Sequence, residues 1–433
     1  MTDIQKENKS GGKVPNNPKQ ISNLRFPEFE GEWEVKKLGE VMDFKVTNSF
    51  SRENLNYEYG TVKNIHYGDI HTKFQTLFDI NCESVPFINE EIDISRISDE
   101  NYCKNGDIIF ADASEDLNDV GKSIEIINTN GEKLLSGLHT LLARPKEDIF
   151  HLGFSGYLFK SNSVRTQIQK ESQGSKVLSI NVGRISKVEL SFPSVEEQSK
   201  ISSFLALLDE RIQTQSKIIN DLKTLKTATA KKIFSQEFRF KDDKGNDFSE
   251  WEKILLGEVM SIPEKTKAQN IDKNKLLTVK LHLKGVLKND NTDTLSFGAT
   301  NYFIRKKGQF IYGKQNLFNG AFDIIPDEFD GFLSSGDVPT LEINNSKINS
   351  SFLLYLMGRK EFYKPLEDFA TGSGSKRIHE KTLLGIKIPF PSLPEQTKIA
   401  NFLSAIDSKI DMETQLLQKL EEQKKFLLQN MFV

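Results

Sequence analysis

Two cysteines, Cys82 and Cys103, stand in 433 residues. That is too few for a Cys-rich zinc site, and it points to a reducing compartment rather than to a disulfide framework. No apolar run reaches the roughly 20 residues of a membrane-spanning helix, so no membrane association is expected. The first two dozen residues are polar, rich in Lys, Asn, Gly and Pro, and have no apolar core of the signal-peptide type. They are expected to form a flexible tail, residues 1 to 24, on a cytoplasmic protein. Catalytic constellations are missing too. A phosphate loop needs glycine where Asp116 stands ahead of Gly121, so Val120-Gly121-Lys122-Ser123 is a poor nucleotide site. The glycine loop and the Asn/Asp-Pro-Pro-aromatic tetrad of an adenine methyltransferase are both absent. Pro326-Asp327 opens like a nuclease carboxylate motif, but no Glu/Asp-x-Lys follows at a workable spacing. His66 and His71 with Cys82, or His139 with Cys103, lack metal-ligand spacing, and no metal is expected.

What is present describes a globular chain of two or three domains, with 37% hydrophobic and 27% charged residues. The formal net charge of −3 weighs against nucleic-acid binding, which usually leaves a basic surface. The charge is unevenly spread. Residues 45 to 190 hold 16 basic and 21 acidic side chains, whereas residues 261 to 386 hold 18 and 14. Much of the first excess lies between Asp79 and Asp119, where a solvated face turned away from any polyanion is expected.

The chain repeats itself. Trp33, Leu38, Gly39, Glu40, Val41 and Met42 recur, all at one offset, as Trp251, Leu256, Gly257, Glu258, Val259 and Met260. Gly174-Ser175-Lys176 returns at a smaller offset as Gly374-Ser375-Lys376, so the second copy is shorter internally. Phe192-Pro193-Ser194, Glu197-Gln198, Ile201, Phe204-Leu205, Asp209 and Ile212 return in a single register as Phe390-Pro391-Ser392, Glu395-Gln396, Ile399, Phe402-Leu403, Asp407 and Ile410, and Phe234 with Phe432 closes that register. Similar ends enclose a divergent middle, as when a scaffold is fixed and an insert selects a target. Strand-like segments such as Gly106 to Phe110 and Gln309 to Tyr312, punctuated by Gly and Asn, suggest a mixed α+β insert.

Each copy ends in about forty residues almost free of Gly and Pro, which predicts one long helix. Ile201, Leu205, Leu208, Ile212, Ile219 and Leu222 alternate steps of three and four, with Gln215 interrupting, and Ile399, Leu403, Ile406, Ile410, Leu417 and Leu420 repeat the pattern. A stripe this long predicts a coiled-coil seam shared by the two helices. The first helix must lead out of one domain and the second run back, so the pair is expected to be antiparallel. Forty residues at 1.5 Å each span about 60 Å, more than the roughly 34 Å of one DNA turn.

The Trp-Glu…Leu-Gly-Glu-Val opening and the Phe-Pro-Ser…Glu-Gln…Ile…Phe-Leu…Asp…Ile passage resemble the specificity subunit of type I restriction-modification systems over about residues 25 to 433. The resemblance implies an α+β chain with a pseudo-two-fold internal repeat: two tandem target-recognition domains, residues 25 to 194 and 237 to 393, separated by two long antiparallel coiled-coil helices, residues 195 to 236 and 394 to 433. It also implies a non-catalytic subunit that reads a bipartite, asymmetric site on double-stranded DNA, one domain per half-site, while the helices set the gap. Similar proteins assemble with two methyltransferase (modification) subunits, which use S-adenosylmethionine to methylate adenine, and with translocase-nuclease (restriction) subunits. The cofactors, S-adenosylmethionine, ATP and Mg, are then expected on those partners and none on this chain. The competing reading is a coiled-coil scaffold joining two partner-binding domains without DNA.

Candidate DNA contacts combine cations, amides and aromatics. Lys63, Asn64, His66, Tyr67, His71 and Lys73 form one such run, and the same pattern also describes an edge strand with a polar outer face. Lys314, Gln315 and Asn316 are the counterpart in the second half. Ser175 and Lys176, and Ser375, Lys376 and Arg377, follow flexible glycines that would let amides and cations approach a phosphate together, or would simply make a turn. Lys280 lies in a Lys-rich stretch, residues 265 to 288, that reads as a phosphate track or as a solvated face.

Overall fold

The computed structural model describes residues 22 to 290, 300 to 372 and 374 to 433. It divides into two compact units. One comprises the chain up to Ser216 together with Gln415–Val433, the other Lys217–Thr414.

In the first unit a five-stranded sheet carries the core. Its strands are β1 (Met42–Lys45), β2 (Leu77–Asp79), β3 (Ile108–Ala111), β4 (Ser123–Asn128) and β5 (Thr140–Pro145), in the order β1-β5-β3-β4-β2. The central strand is apolar at every position and fully buried, as a strand covered on both faces must be. Only the β2–β4 pairing is parallel in this sheet. The second unit holds a smaller antiparallel sheet of β6 (Met260–Ser261), β7 (Phe310–Tyr312), β8 (Phe322–Ile324) and β9 (Thr340–Ile343), in the order β6-β9-β7-β8. β1, β5, β3 and β4 thus have their counterparts in β6, β9, β7 and β8. Each unit is also closed in the same way: Glu34–Lys37 pairs with Glu189–Phe192, and Glu252–Leu255 with Lys387–Phe390, so the first and last strands of each repeat lie side by side.

The two long helices are α1 (Val195–Phe234) and α2 (Leu393–Asn430). Each begins just after its proline and serine, and Gln198 and Gln396 donate their backbone N–H to the carbonyls of Ser194 and Ser392. In the second unit Lys226 pairs with Asp407, while Ile233 and Phe234 share a core with Ile399 and Leu403. Advancing along α1 therefore means retreating along α2, and the two run antiparallel. Among the described residues no helix is long and apolar enough to cross a membrane.

The expected seam is only partly a helix–helix seam. Ile201, Leu205, Leu208 and Leu420 lie inside the core of the first domain, with Ile212 packed against it, and Ile399 and Leu403 lie inside that of the second. Ile219 and Ile410 are buried outside these clusters, while Leu222, Ile406 and Leu417 are only half-buried. Gln215, which interrupts the apolar repeat, is itself buried. The stripes thus join each helix to its domain first and to the other helix second.

The last residues of the tail expected over residues 1 to 24 are anchored. Residues 1 to 21 lie outside the described residues, but Ser22 is buried and the Leu24 N–H donates to the Asn430 carbonyl at 2.9 Å. Arg25 then forks onto the buried Glu197 at 2.8 and 2.7 Å.

Candidate nucleic-acid interface

In the first domain a hairpin from Gln173 to Ser179 returns Leu178–Ser179 against Ala113–Ser114, the strand that directly follows β3. Gly174 sits at φ +138, and a Cβ there would lie 1.9 Å from the Val177 carbonyl oxygen, so only glycine makes this turn. Lys176 is exposed at the hairpin, and Ser175 with it. Beside the hairpin, Tyr67 is ringed by three of the chain's six histidines: His66 at 4.6 Å, His139 at 5.3 Å and His71 at 5.9 Å between centroids. His71 reaches the Ala113 carbonyl through Nε2 at 3.1 Å, and His139 holds Asp112 through Nδ1 at 3.2 Å. The structure thus brings together two candidate segments that lie far apart in sequence.

The second domain repeats the arrangement with other side chains. The hairpin from Thr371 to Arg377 closes with the same pair of backbone bonds, and Ile378 then donates to the Lys314 carbonyl at 2.9 Å. Lys314 and the 375 to 377 segment are therefore neighbours. The required glycine here is Gly372, at φ +120, where a Cβ would lie 2.6 Å from the Ser375 carbonyl oxygen. This corrects the repeat as read from letters. Gly174 and Gly372 stand in the same register as Phe192 and Phe390, so Gly374-Ser375-Lys376 is out of step with Gly174-Ser175-Lys176. Lys176 corresponds to Gly374, and Ser179 to Arg377.

Several candidates are committed to the fold. Asn64 is fully buried and accepts from Asn48 Nδ2 at 2.7 Å, so it cannot read a base. Lys63 lies over the Phe87 ring and pairs with Glu132 at 2.7 Å. His66 caps the helix Tyr67–Thr72, accepting from Gly68 through Nδ1, and is buried. Burial, with Arg52 nearby, holds its imidazolium below the usual range, which keeps that nitrogen an acceptor. Lys314 is largely covered and pairs with Glu380 at 3.1 Å, and Glu380 also takes Lys265. Asn316 organises a turn by accepting from Asn319, and Gln315 beside it is half-buried. Lys280 is exposed where it opens the turn between Leu277–Val279 and Val286–Lys288, away from the 371 to 377 hairpin in sequence and in pairing. Ser375 is half-buried, Lys376 is exposed and pairs with Glu367, and Arg377 meets Asp337 at 3.4 Å.

Other residues join the surface unannounced by any motif. Tyr57 and Tyr59 are more than half exposed, and Tyr57 accepts from Lys73 at 3.1 Å and from Arg52 at 3.4 Å. Lys73 and Arg52 both pair with the buried Asp69, at 2.9 and 2.7 Å. Burial alone would raise that carboxyl, but the two cations outweigh it and hold the group below its usual range. Two tyrosines beside Gly60 in a polar loop are the only signal of this patch in the sequence. The acidic run is not one face turned aside: Asp107 is buried against Arg144, while Asp112 borders the hairpin. The Lys122 amine is taken by the His71 carbonyl, so the phosphate-loop-like segment serves the fold. Among the described residues no cluster of His, Cys, Asp or Glu is placed to hold a metal.

The Glu-Gln passage has a structural meaning of its own. Glu197 and Glu395, both buried, receive Arg25 and Arg239, and Gln198 and Gln396 accept from the backbone of His151 and Asn349 while donating to Pro193 and Pro391. These buried polar groups tie each helix start to its domain, and each partner would be costly to lose.

A family model described as the type I restriction modification DNA specificity domain matches the sequence twice, over residues 30–224 and 248–422. The starts of the two matches are spaced as Trp33 and Trp251 are, and their ends as Phe192 and Phe390 are, so the matches follow the internal repeat. The MjaX specificity subunit of Methanocaldococcus jannaschii is 25% identical over 430 residues, covering 93% of each chain. The MjaVIII specificity subunit of the same organism is 26% identical over 289 residues, 63% of this chain and 68% of that one. In fold, the chain is similar to the S subunit of the type I restriction-modification system of M. genitalium, with a TM-score of 0.55 at 16% identity, over 95% of this chain and 99% of that one. The chain belongs to the type I restriction-modification specificity subunits, and its two repeats are DNA specificity domains of that family.

Proposed function

We propose that each specificity domain reads one half of a bipartite, asymmetric site on double-stranded DNA, and that α1 and α2 set the unread gap. The observation that carries this reading is the repeated hairpin. One backbone frame docks at the same strand end in both domains, yet carries Lys176, Asp112 and His139 in the first and Lys376 and Arg377 in the second, where Lys314, largely covered by its pairing with Glu380, stands in the place of Asp112. A shared frame with different polar side chains is what two readers of different half-sites require. The alternative of a DNA-free scaffold gives these hairpins no task.

On this reading the chain supplies no chemistry of its own. Two methyltransferase subunits would hold S-adenosylmethionine and methylate adenine, and translocase-nuclease subunits would hold ATP and Mg, all in the cytoplasm with the DNA. Co-expression with the methyltransferase subunit, followed by mapping of methylated adenines, is expected to give one bipartite motif. Methyl transfer from labelled S-adenosylmethionine by the isolated chain, or methylation without a motif, would overturn the reading.

A further inference from the structure

The two domains place opposite charges at one equivalent position. Asp112 donates its N–H to the His139 carbonyl at 3.0 Å and accepts at its own carbonyl from Ile180 at 2.8 Å. Lys314 makes the same two bonds, to Asp337 at 2.9 Å and from Ile378 at 2.9 Å. Both residues follow an inner strand of their sheet, β3 or β7, and both receive the residue just after the glycine hairpin. His139 and Asp337 in turn lie just before β5 and β9. The backbone bonding is thus the same while the side-chain charges are reversed.

Packing does not account for Asp112. Its side chain remains 26% exposed and that of His139 51%, and they hold one another at the surface rather than closing a core. His139 adopts φ +55, in the left-handed region that a non-glycine side chain rarely occupies. Strain of this kind persists where the surroundings fix it, and such positions gather at functional sites. The ring of histidines about Tyr67 includes His139, and the chain leaving the hairpin that carries the exposed Lys176 binds Asp112 through Ile180. An acceptor beside a cation-bearing hairpin can meet a base edge while the hairpin meets the backbone.

We propose that Asp112 is a specificity-determining residue of the first domain, oriented by His139, and that it selects a base presenting an exocyclic amino group in the major groove, cytosine through N4. A carboxylate accepts from that amino group and is repelled by the acceptors of guanine and thymine, while at adenine the N7 acceptor beside the N6 amino group offsets the gain. Lys314 cannot accept at all, so the second domain makes no such selection at its equivalent position. His139 acts through Asp112 as a positioning residue. This inference rests on the half-site reading above.

The test uses the full chain assembled with its methyltransferase partner, on DNA with a randomised half-site. Asp112→Asn, which keeps the size of the side chain, is expected to lower the preference for cytosine at one base pair of the first half-site by about tenfold or more. The second half-site stays unchanged, and His139→Ala relaxes the same base pair and no other. In parallel, residues 45 to 190 are exchanged for the matching domain of a relative. If the exchange alters one half-site but D112N keeps its preference, the assignment of Asp112 falls and the half-site reading stands. If the exchange alters neither half-site, the reading itself falls. Relaxation spread over both half-sites with D112N also overturns the proposal. Asp112→Glu, which retains the carboxylate, should keep cytosine preferred where Asp112→Ala loses it, and this pair decides the matter if the Asn variant assembles poorly.

Discussion

The Tyr157 hydroxyl donates to Asp209 Oδ2 at 2.9 Å, across the boundary between domain and helix. Lys424 pairs with the other oxygen of the same carboxylate. One repeat further along, Tyr355 donates to Asp407 Oδ2 at 2.7 Å and Lys226 takes Oδ1 at 2.5 Å. Lys226 and Lys424 are themselves equivalent positions of α1 and α2, so each copy rebuilds the triad from both helices and its own domain. Beside them lie cavities of about 650 Å³ at Lys226 and about 430 Å³ at Lys424.

Asp209→Asn should therefore loosen the first domain from both helices. The amide keeps one acceptor for Tyr157 but loses the charge opposite Lys424, a cost of about 1 to 3 kcal/mol. The midpoint of chemical denaturation is expected to fall for this variant, and for Asp407→Asn by a similar amount. A midpoint equal to wild type in both would show that the triads are decorative.

Arg25→Met should be the more damaging change. It leaves Glu197, 1% exposed, as a buried carboxylate without its cation, which costs about 3 to 5 kcal/mol when a buried pair is broken from one side. Adding Glu197→Gln removes the stranded charge, so the double variant should regain part of the loss. Denaturation of the single and double variants measures it, and a double variant less stable than Arg25→Met would contradict the argument.

The ends of each repeat are legible in the sequence because their tasks are local: glycine-free length makes α1 and α2, and a proline starts them. The seam is only half legible because spacing reports that a face is buried, not against what. Leu208 and Ile406 occupy equivalent stripe positions, yet Leu208 joins a domain core and Ile406 is half-buried. Leu208→Asp should consequently destabilise by several kcal/mol and Ile406→Asp by much less, as thermal unfolding would show. The site is less legible still. Asn64 and Lys63 have the composition of groove readers, but long-range partners such as Asn48 and Glu132 claim them. Asp112 and His139 carry no motif, since only the pairing of β3 with β5 brings them together.

Glu125 gives a pH signature. Burial pushes its carboxyl up to about 7, outweighing the backbone N–H groups of Gly153 and Gly156 that its two oxygens accept at 2.6 Å each. Gly156 permits the approach, since a Cβ there would lie 3.1 Å from that of Glu125. A folded value above the ordinary 4.5 means that the folded state holds the proton more tightly. The associated stability is fully present below about pH 4.5 and is lost as pH rises through about 7. Melting temperature should decline over that window, and Glu125→Gln, though weakened by one lost bond, should decline less. Parallel pH profiles for the two proteins would refute it.

Lys176 and Lys376 should separate phosphate contact from base reading. Lys176 is exposed at the hairpin formed by Gly174, whereas Lys376 lies on the returning arm and is engaged by Glu367 at 3.0 Å. A phosphate contact contributes affinity without sequence information, and each one lost lowers the slope of log affinity against log salt by about 0.9. For the chain assembled with its methyltransferase partner, Lys176→Ala should therefore weaken binding to all DNA by a common factor and flatten the salt dependence by about one contact. Lys376→Ala should do less, because its charge is already shared with a carboxylate. The methylated motif should be unchanged in both. Binding isotherms at several salt concentrations decide the point: an unaltered slope with Lys176→Ala removes the hairpin from the phosphate backbone, and an altered half-site makes it a base reader instead.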